Sequence, residues 1–184
     1  CGPGDDRRIC GDCITRPPSF SRARTLGKYE GPLLEAIHLF KYRGNMTAGE
    51  LLAGMMARWI RANPDLPACD RIIPVPLHPS KLRKRGFNQS LVLARGIART
   101  CSGSLDTTTL VKTADAAPQV GLGKEERRRN VRKAFSVTSG EGLEGARIFL
   151  VDDVYTTGST VGECARVLLN NGAGEVIVLT LARA

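Results

Sequence analysis

Aromatic residues are scarce in this chain: five Phe, three Tyr and one Trp among 184 residues. Rings so few and so scattered give little sign of a base-stacking platform. Long apolar runs are missing as well. No stretch approaches the ~20 residues that a membrane-spanning helix needs, and the first residues do not read as a signal peptide. No Ser/His/Asp or Cys/His constellation is visible, so the pattern offers no nucleophilic set for covalent catalysis. Acidic residues are outnumbered, 18 against 27 basic ones, and the formal net charge of +9 points to anionic partners: phosphates, nucleotides or nucleic acid. The rest is ordinary. A hydrophobic content of 42% supports a proper core, and the length suits one domain with at most a small appendage.

A disulfide framework is also lacking. Cys69, Cys101 and Cys164 stand alone in or beside helical or strand-like segments and read as reduced thiols, which favours a cytoplasmic setting. Cys1, Cys10 and Cys13 cluster instead. Cys10-Gly-Asp-Cys13 is a CxxC knuckle, and Cys1-Gly-Pro resembles the end of another. Tetrahedral zinc wants four soft ligands. Three are visible, so the fourth is expected upstream of Cys1, and a chain that opens without Met reads as part of a longer protein. The competing reading is a reduced tail with a chance CxxC. A redox pair fits less well, because no strand leads into it and no helix clearly follows. Residues 1–18 are thus taken as a zinc knuckle truncated at its start, and residues 19–184 as the main domain.

The main domain alternates strand and helix signals. Arg22 to Tyr29 is strand-like. Gly31-Pro32 opens a helix with Leu33, Leu34, Ile37, His38 and Phe40 on its apolar face, and Gly44 ends it. On that face His38 reads as a packed core histidine. Lys41 and Arg43 suit the negative end of the helix dipole, or reach for a phosphate. A second helix spans roughly Ala48 to Arg61, with Leu51, Leu52, Met55, Met56 and Trp59 as its core stripe. Asp70 to Pro79 is a strand with a proline-rich exit, which marks a special loop rather than a central ladder. Ser80 to Ser90 reads as a basic loop carrying Lys81, Arg83, Lys84 and Arg85, and a helix follows from Ser90 to about Arg99. Four cations directly after a strand's carboxyl end fit an anion site in an open α/β sheet; a solvated basic loop is the plainer alternative. Leu110-Val111-Lys112 and Phe135-Ser136-Val137 are short strand candidates. Between them, residues 113–135 are long, polar, Gly-punctuated and charged, as in a lid over a charged substrate or a surface loop ending in a short helix. The chain closes with an apolar strand from Glu175 to Leu181. Such alternation gives an α/β domain with a mainly parallel sheet, whose ligands bind beyond the carboxyl ends of its strands.

One stretch organises the rest. Ile148 to Val151 has the length and branching of a buried strand. Asp152 and Asp153 follow where that strand is expected to end. Thr156, Thr157, Gly158, Ser159 and Thr160 form a small-residue turn, and Val161, Ala165, Val167, Leu168 and Leu169 then supply an apolar helical face that Gly172 stops. A turn at a helix N-terminus offers backbone N–H groups and a favourable dipole to an anion. Two carboxylates can accept from neighbouring ribose hydroxyls, or hold Mg²⁺ directly or through water. A solvated loop and an ordinary N-cap explain each part taken singly; the four in this order and spacing specify a phosphate site with sugar-binding acids beside it.

Residues 148–160 resemble the phosphoribosyl pyrophosphate (PRPP) loop of type I phosphoribosyltransferases. Gly31-Pro32-Leu33, Lys41-Tyr42-Arg43-Gly44, Pro74-Val75-Pro76-Leu77-His78-Pro79, Arg85-Gly86-Phe87-Asn88-Gln89 and Arg128-Arg129-Asn130-Val131 extend the likeness over nearly the whole chain. Together they resemble the ComF family (ComFC/GntX-like) of competence-associated phosphoribosyltransferase-like proteins, which also carries a four-Cys zinc knuckle; here one Cys of that set is missing. The resemblance implies a type I phosphoribosyltransferase fold, with residues 19–46 as the hood and 113–135 as the flexible loop. It gives Asp152 and Asp153 the ribose hydroxyls, with Mg²⁺, and Thr156 to Thr160 the 5′-phosphate. Lys81, Arg83 and Arg85 fall on the pyrophosphate side, and Gln119, Arg128, Arg129 and Asn130 in the loop that covers the leaving group. Cys1, Cys10 and Cys13 would hold structural Zn²⁺.

Three functions stay open at this point. One is Mg²⁺-dependent phosphoribosyl transfer to or from a nitrogenous base, with PRPP or a ribose 5-phosphate nucleotide bound. Another is a nucleotide sensor that handles single-stranded DNA in natural transformation, alongside protein partners of the DNA-uptake machinery. A zinc-knuckle adaptor is the third. Nothing in the expected hood names the acceptor base.

Overall fold

The computed structural model describes Thr15, residues 17–113 and residues 134–184. Cys1, Cys10, Cys13, Gln119, Arg128, Arg129 and Asn130 lie outside the described residues. In chain order the elements are β1 (Arg22–Lys28), α1 (Gly31–Arg43), α2 (Met46–Arg61), β2 (Arg71–Pro74), α3 (Pro79–Arg85), α4 (Gln89–Ala98), β3 (Ser104–Leu105), β4 (Leu110–Lys112), β5 (Phe135–Val137), β6 (Arg147–Tyr155), α5 (Ser159–Leu169) and β7 (Glu175–Arg183). Strands β1, β7, β6, β2 and β3 lie side by side in that order, every pair parallel. The α/β class with a mainly parallel sheet is therefore as the alternation implied.

Successive residues of a strand face opposite sides of the sheet, and β6 has a core on both. Ile148 and Leu150 pack with Val161, Leu168, Val176 and Val178 on one side. Phe149 and Val151 pack with Leu52, Leu93, Ile177 and Leu179 on the other. A strand covered on both faces needs an unbroken apolar run, and Ile148 to Val151 is one. Each of these side chains stabilises the fold by roughly 1.5–3 kcal/mol through removal from water.

The chain leaves β2 towards the β3 edge and leaves β6 towards the opposite edge, through β7. The connections thus part between β2 and β6, which makes this the switch point where an open α/β sheet forms a crevice. Proline opens it. Val75 still donates to Val151 O at 2.9 Å, but β2 ends at Pro74 and Pro76 has no N–H to continue the ladder. Beyond Val151, β6 pairs only with β7. The acidic pair was expected after the end of this strand; instead β6 continues through it to Tyr155, because β7 still offers it a partner.

Other elements also differ from expectation. The segment after β2 is not a basic loop. His78 accepts from Ser80 N–H at 3.3 Å, Pro79 preorganises the first turn, and Gly86 closes a short helix, α3. On α2 the buried residues are Gly49, Leu52, Ala53, Met56, Ala57 and Ile60, while Leu51 and Met55, expected in the core, are 67% and 42% exposed. Helix α4 comes so close that a Cβ on Gly96 would lie 2.7 Å from Ala53 Cβ, so the small side of α2 faces its neighbour. His38 is exposed rather than packed in the core, with its Nε2 2.8 Å from Tyr29 Oη. Strands β4 and β5 form their own antiparallel pair, and Thr113 N–H donates to Ala134 O at 2.9 Å. The ends of the 113–135 segment therefore sit side by side.

Candidate functional site

The site is built where β6 has lost β2 as a neighbour. Helix α4 fills the gap with its N-terminus. Asn88 caps α4 by accepting from Ser90 N–H at 3.0 Å, and its own amide donates to Val75 O at 3.1 Å. That places two polar side chains against the acids. Ser90 Oγ–H donates to Asp152 Oδ1 at 2.9 Å, and Gln89 Nε2 donates to Asp153 Oδ2 at 3.2 Å. Lys41, from the last turn of α1, reaches Asp153 Oδ2 at 2.7 Å. The backbone adds Asp153 N–H to Asp152 Oδ1 at 2.9 Å and Val154 N–H to Asp153 Oδ1 at 2.8 Å.

Burial makes these contacts matter. Asp153 is 5% exposed, as is Gln89, and Ser90 2%. Burial, and then the charge of Asp153, push the Asp152 carboxyl up to about 7, against the bonds from Asp153 N–H and Ser90 and the charge of Lys41. Burial also disfavours the Lys41 ammonium, but the charge and hydrogen bond of Asp153, with help from Asp152 and Tyr42, outweigh it and hold Lys41 above its usual range.

Just beyond β6 the chain turns through Thr156 to Gly158 into α5. Gly158 sits in the left-handed region, φ 72 and ψ 4, and as the N-cap residue has no side chain to cap the helix; Thr157 Oγ1 accepts from Ser159 N–H instead, at 3.4 Å. Thr157 and Ser159 hydroxyls lie 2.8 Å apart. Thr156 is exposed, whereas Thr157, Gly158, Ser159 and Thr160 are half-buried. A helix start with hydroxyls around it attracts an anion. Tyr155 packs beneath this turn, its ring edge-on to Phe20 and under the Arg183 guanidinium.

The expected pyrophosphate-side cations divide. Lys81 and Arg85 are half-buried one helical turn apart on α3, and Arg83 is exposed. The first two share a face and the third does not. Sequence reasoning treated Gln89 and Ser90 as a motif and a helix start, and missed them as partners of the acids. Polar residues at a helix start whose cap is already Asn88 were the available signal. It also left Lys41 between a solvated helix end and a phosphate contact; its partner is a carboxylate.

The bonds described occupy Asp152 Oδ1 and both oxygens of Asp153. Among the described residues no group of three or more His, Cys, Asp or Glu side chains could hold a metal ion. The acids alone are a poor cage, but Mg²⁺ commonly takes one or two carboxylates and completes its shell with water and substrate phosphates. The donor set fits that habit, with Asp152 Oδ2 left over by the bonds above.

A parallel sheet that carries an acidic pair, a Thr/Gly turn and a helix start at its switch point has the architecture of the type I phosphoribosyltransferase fold. Residues 88–184 match the family model described as the phosphoribosyl transferase domain. A relative from Salmonella typhi, DNA utilization protein YhgH, is 35% identical over 177 residues, covering 95% of this chain and 77% of its own. Competence protein F of Haemophilus influenzae is 32% identical over 179 residues, covering 95% and 78%. The solved structure of an allosteric regulatory enzyme of purine biosynthesis shares the fold at a TM-score of 0.50 and 20% identity, over 72% of this chain and 26% of that one. The chain belongs to the ComF family of phosphoribosyltransferase-domain proteins.

Proposed function

We propose that the protein binds PRPP, or a nucleotide carrying ribose 5-phosphate, and transfers the phosphoribosyl group with Mg²⁺. The carrying observation is the acidic pair held by Lys41, Gln89 and Ser90 at the switch point, one turn from the start of α5. Asp152 and Asp153 accept the two ribose hydroxyls. The turn from Thr156 to Thr160 takes the 5′-phosphate through backbone N–H groups and hydroxyls. In the transfer a base nitrogen forms the new bond to C1, the C1–O bond breaks, and pyrophosphate leaves with its electron pair. Positive charge grows on the ribose beside two carboxylates. Negative charge grows on pyrophosphate, towards the cations of α3, Lys81 and Arg85. Positioning and electrostatics carry the step, and no side-chain nucleophile is required. Mg²⁺, held by Asp152 and Asp153 through water, would supply further charge neutralisation to the phosphates.

Calorimetric titration of PRPP with Mg²⁺ tests this on the wild type and on the double variant Asp152→Ala/Asp153→Ala. Binding is expected in the first and lost in the second; equal binding by both sinks the reading. A screen of bases and ribonucleotides for pyrophosphate release or consumption identifies the acceptor.

A second reading has its own support. The +9 charge, together with relatives named for DNA utilization and competence, favours a nucleotide sensor that also handles single-stranded DNA with partners of DNA uptake. Phosphate contacts release counterions, so oligonucleotide binding that weakens steeply with salt supports this role. Absence of binding at low salt removes it.

A further inference from the structure

We propose that Lys41 is the resident cation of the acidic pair: its ammonium occupies the place on Asp153 that a divalent ion would take, so the ligand-free protein keeps metal off the pair. The geometry is specific. Lys41 Nζ lies 2.7 Å from Asp153 Oδ2, with the two side chains only 20% and 7% exposed. Gln89 donates to the same oxygen and Val154 N–H to the other, so both oxygens of Asp153 are engaged before a metal arrives. Ser90 and Asp153 N–H occupy Asp152 Oδ1. A divalent ion must compete with an ammonium that is already desolvated and in contact, and in such surroundings one charge at this distance shifts a competing cation's affinity by about tenfold or more. Lys41 also belongs to α1, so the contact ties that helix to β6. In the phosphoribosyl reading, on which only this consequence rests, the divalent ion arrives with the ligand's phosphates rather than waiting on the carboxylates.

The test uses Mn²⁺ as the probe, titrated into the ligand-free full chain and followed by the loss of its free-ion electron paramagnetic resonance signal. Wild type and Lys41→Arg are expected to show no site at the pair. Lys41→Met is expected to gain one, with affinity about tenfold or more above any wild-type binding, and Lys41→Met/Asp153→Asn to lose it again. Lys41→Gln, which keeps a donor without the charge, replaces Lys41→Met if the latter does not fold. Equal Mn²⁺ affinity in wild type and the uncharged variant, whether tight or undetectable, overturns the proposal, as does a gained site that survives Asp153→Asn. No ribose phosphate is present, so failure here leaves the phosphoribosyl reading standing. Failure of PRPP binding leaves this result equally legible.

Discussion

Alanine at position 158 strikes the turn at 156–160 where it is tightest. The backbone there, φ 72 and ψ 4, costs an L residue about 1–2 kcal/mol. A Cβ would also lie 2.7 Å from Tyr155 Cζ, well inside contact. Tyr155 cannot simply swing away. Its ring is 6.3 Å from that of Phe20, edge to face, and 5.6 Å below the Arg183 guanidinium. Overpacking of this kind costs about 1–3 kcal/mol, so Gly158→Ala should destabilise by about 2–5 kcal/mol in urea titration. If the turn relaxes instead, the N–H groups at the start of α5 move, and affinity for ribose 5-phosphate falls while less stability is lost. A double-mutant cycle separates the two costs. In Tyr155→Leu the ring contact is gone, so adding Gly158→Ala should cost about 1 kcal/mol or more less than it does in wild type. The reasoning is refuted if Gly158→Ala stays within about 0.5 kcal/mol of wild type with unchanged affinity, or if the two substitutions are additive.

Two further outcomes follow from groups shifted by burial. Asp152 is held up to about 7 in the folded protein, above its unfolded value of about 3.9, so folding favours the protonated acid. Stability of the ligand-free protein should therefore fall as pH rises from about 4 to about 7 and level off above, and Asp152→Asn should flatten that limb; denaturation midpoints across this range decide it, and a limb unchanged in the variant contradicts the assignment. Burial lifts the Cys69 thiol to about 11 and that of Cys164 well above its ordinary value. A thiol reagent at neutral pH should then find about 100-fold less thiolate at Cys69 than at an ordinary cysteine. Peptide mapping should show both unlabelled in the native protein and labelled in denaturant; rapid native labelling of either contradicts its burial.

Much of this molecule can be read from one line of residues because the physics involved is local. Ile148 to Val151 had to be a strand covered on both faces, since an unbroken branched run suits nothing else of that length before an acidic pair. Gly158 ahead of Ser159-Thr160 announced a turn into a helix, and it is one. Gly44 ended α1 with φ 64, as a glycine past the last apolar residue should. Local patterns misled where a neighbour set the outcome. Leu51 and Met55 look like core by period, yet α4 packs on Ala53, two positions from each. His38 lay on the apolar side by spacing, yet Tyr29 holds it at the surface. The run of cations after β2 reads as a loop because nothing in the local pattern marks His78 as a cap.

The chain's own pattern specifies the class and the chemistry on offer: a parallel α/β sheet, two carboxylates near one strand's carboxyl end, and hydroxyls and glycine at a helix start. These depend on residues adjacent in the chain, or one helical or strand period apart. Only the tertiary structure decided what those carboxylates touch. Lys41 and Gln89 lie 112 and 64 residues before Asp153 along the chain, and no period links them. They meet because Pro74 and Pro76 stop β2 early, α4 moves its N-terminus into the opening, and α1 lays its last turn across the same edge of the sheet.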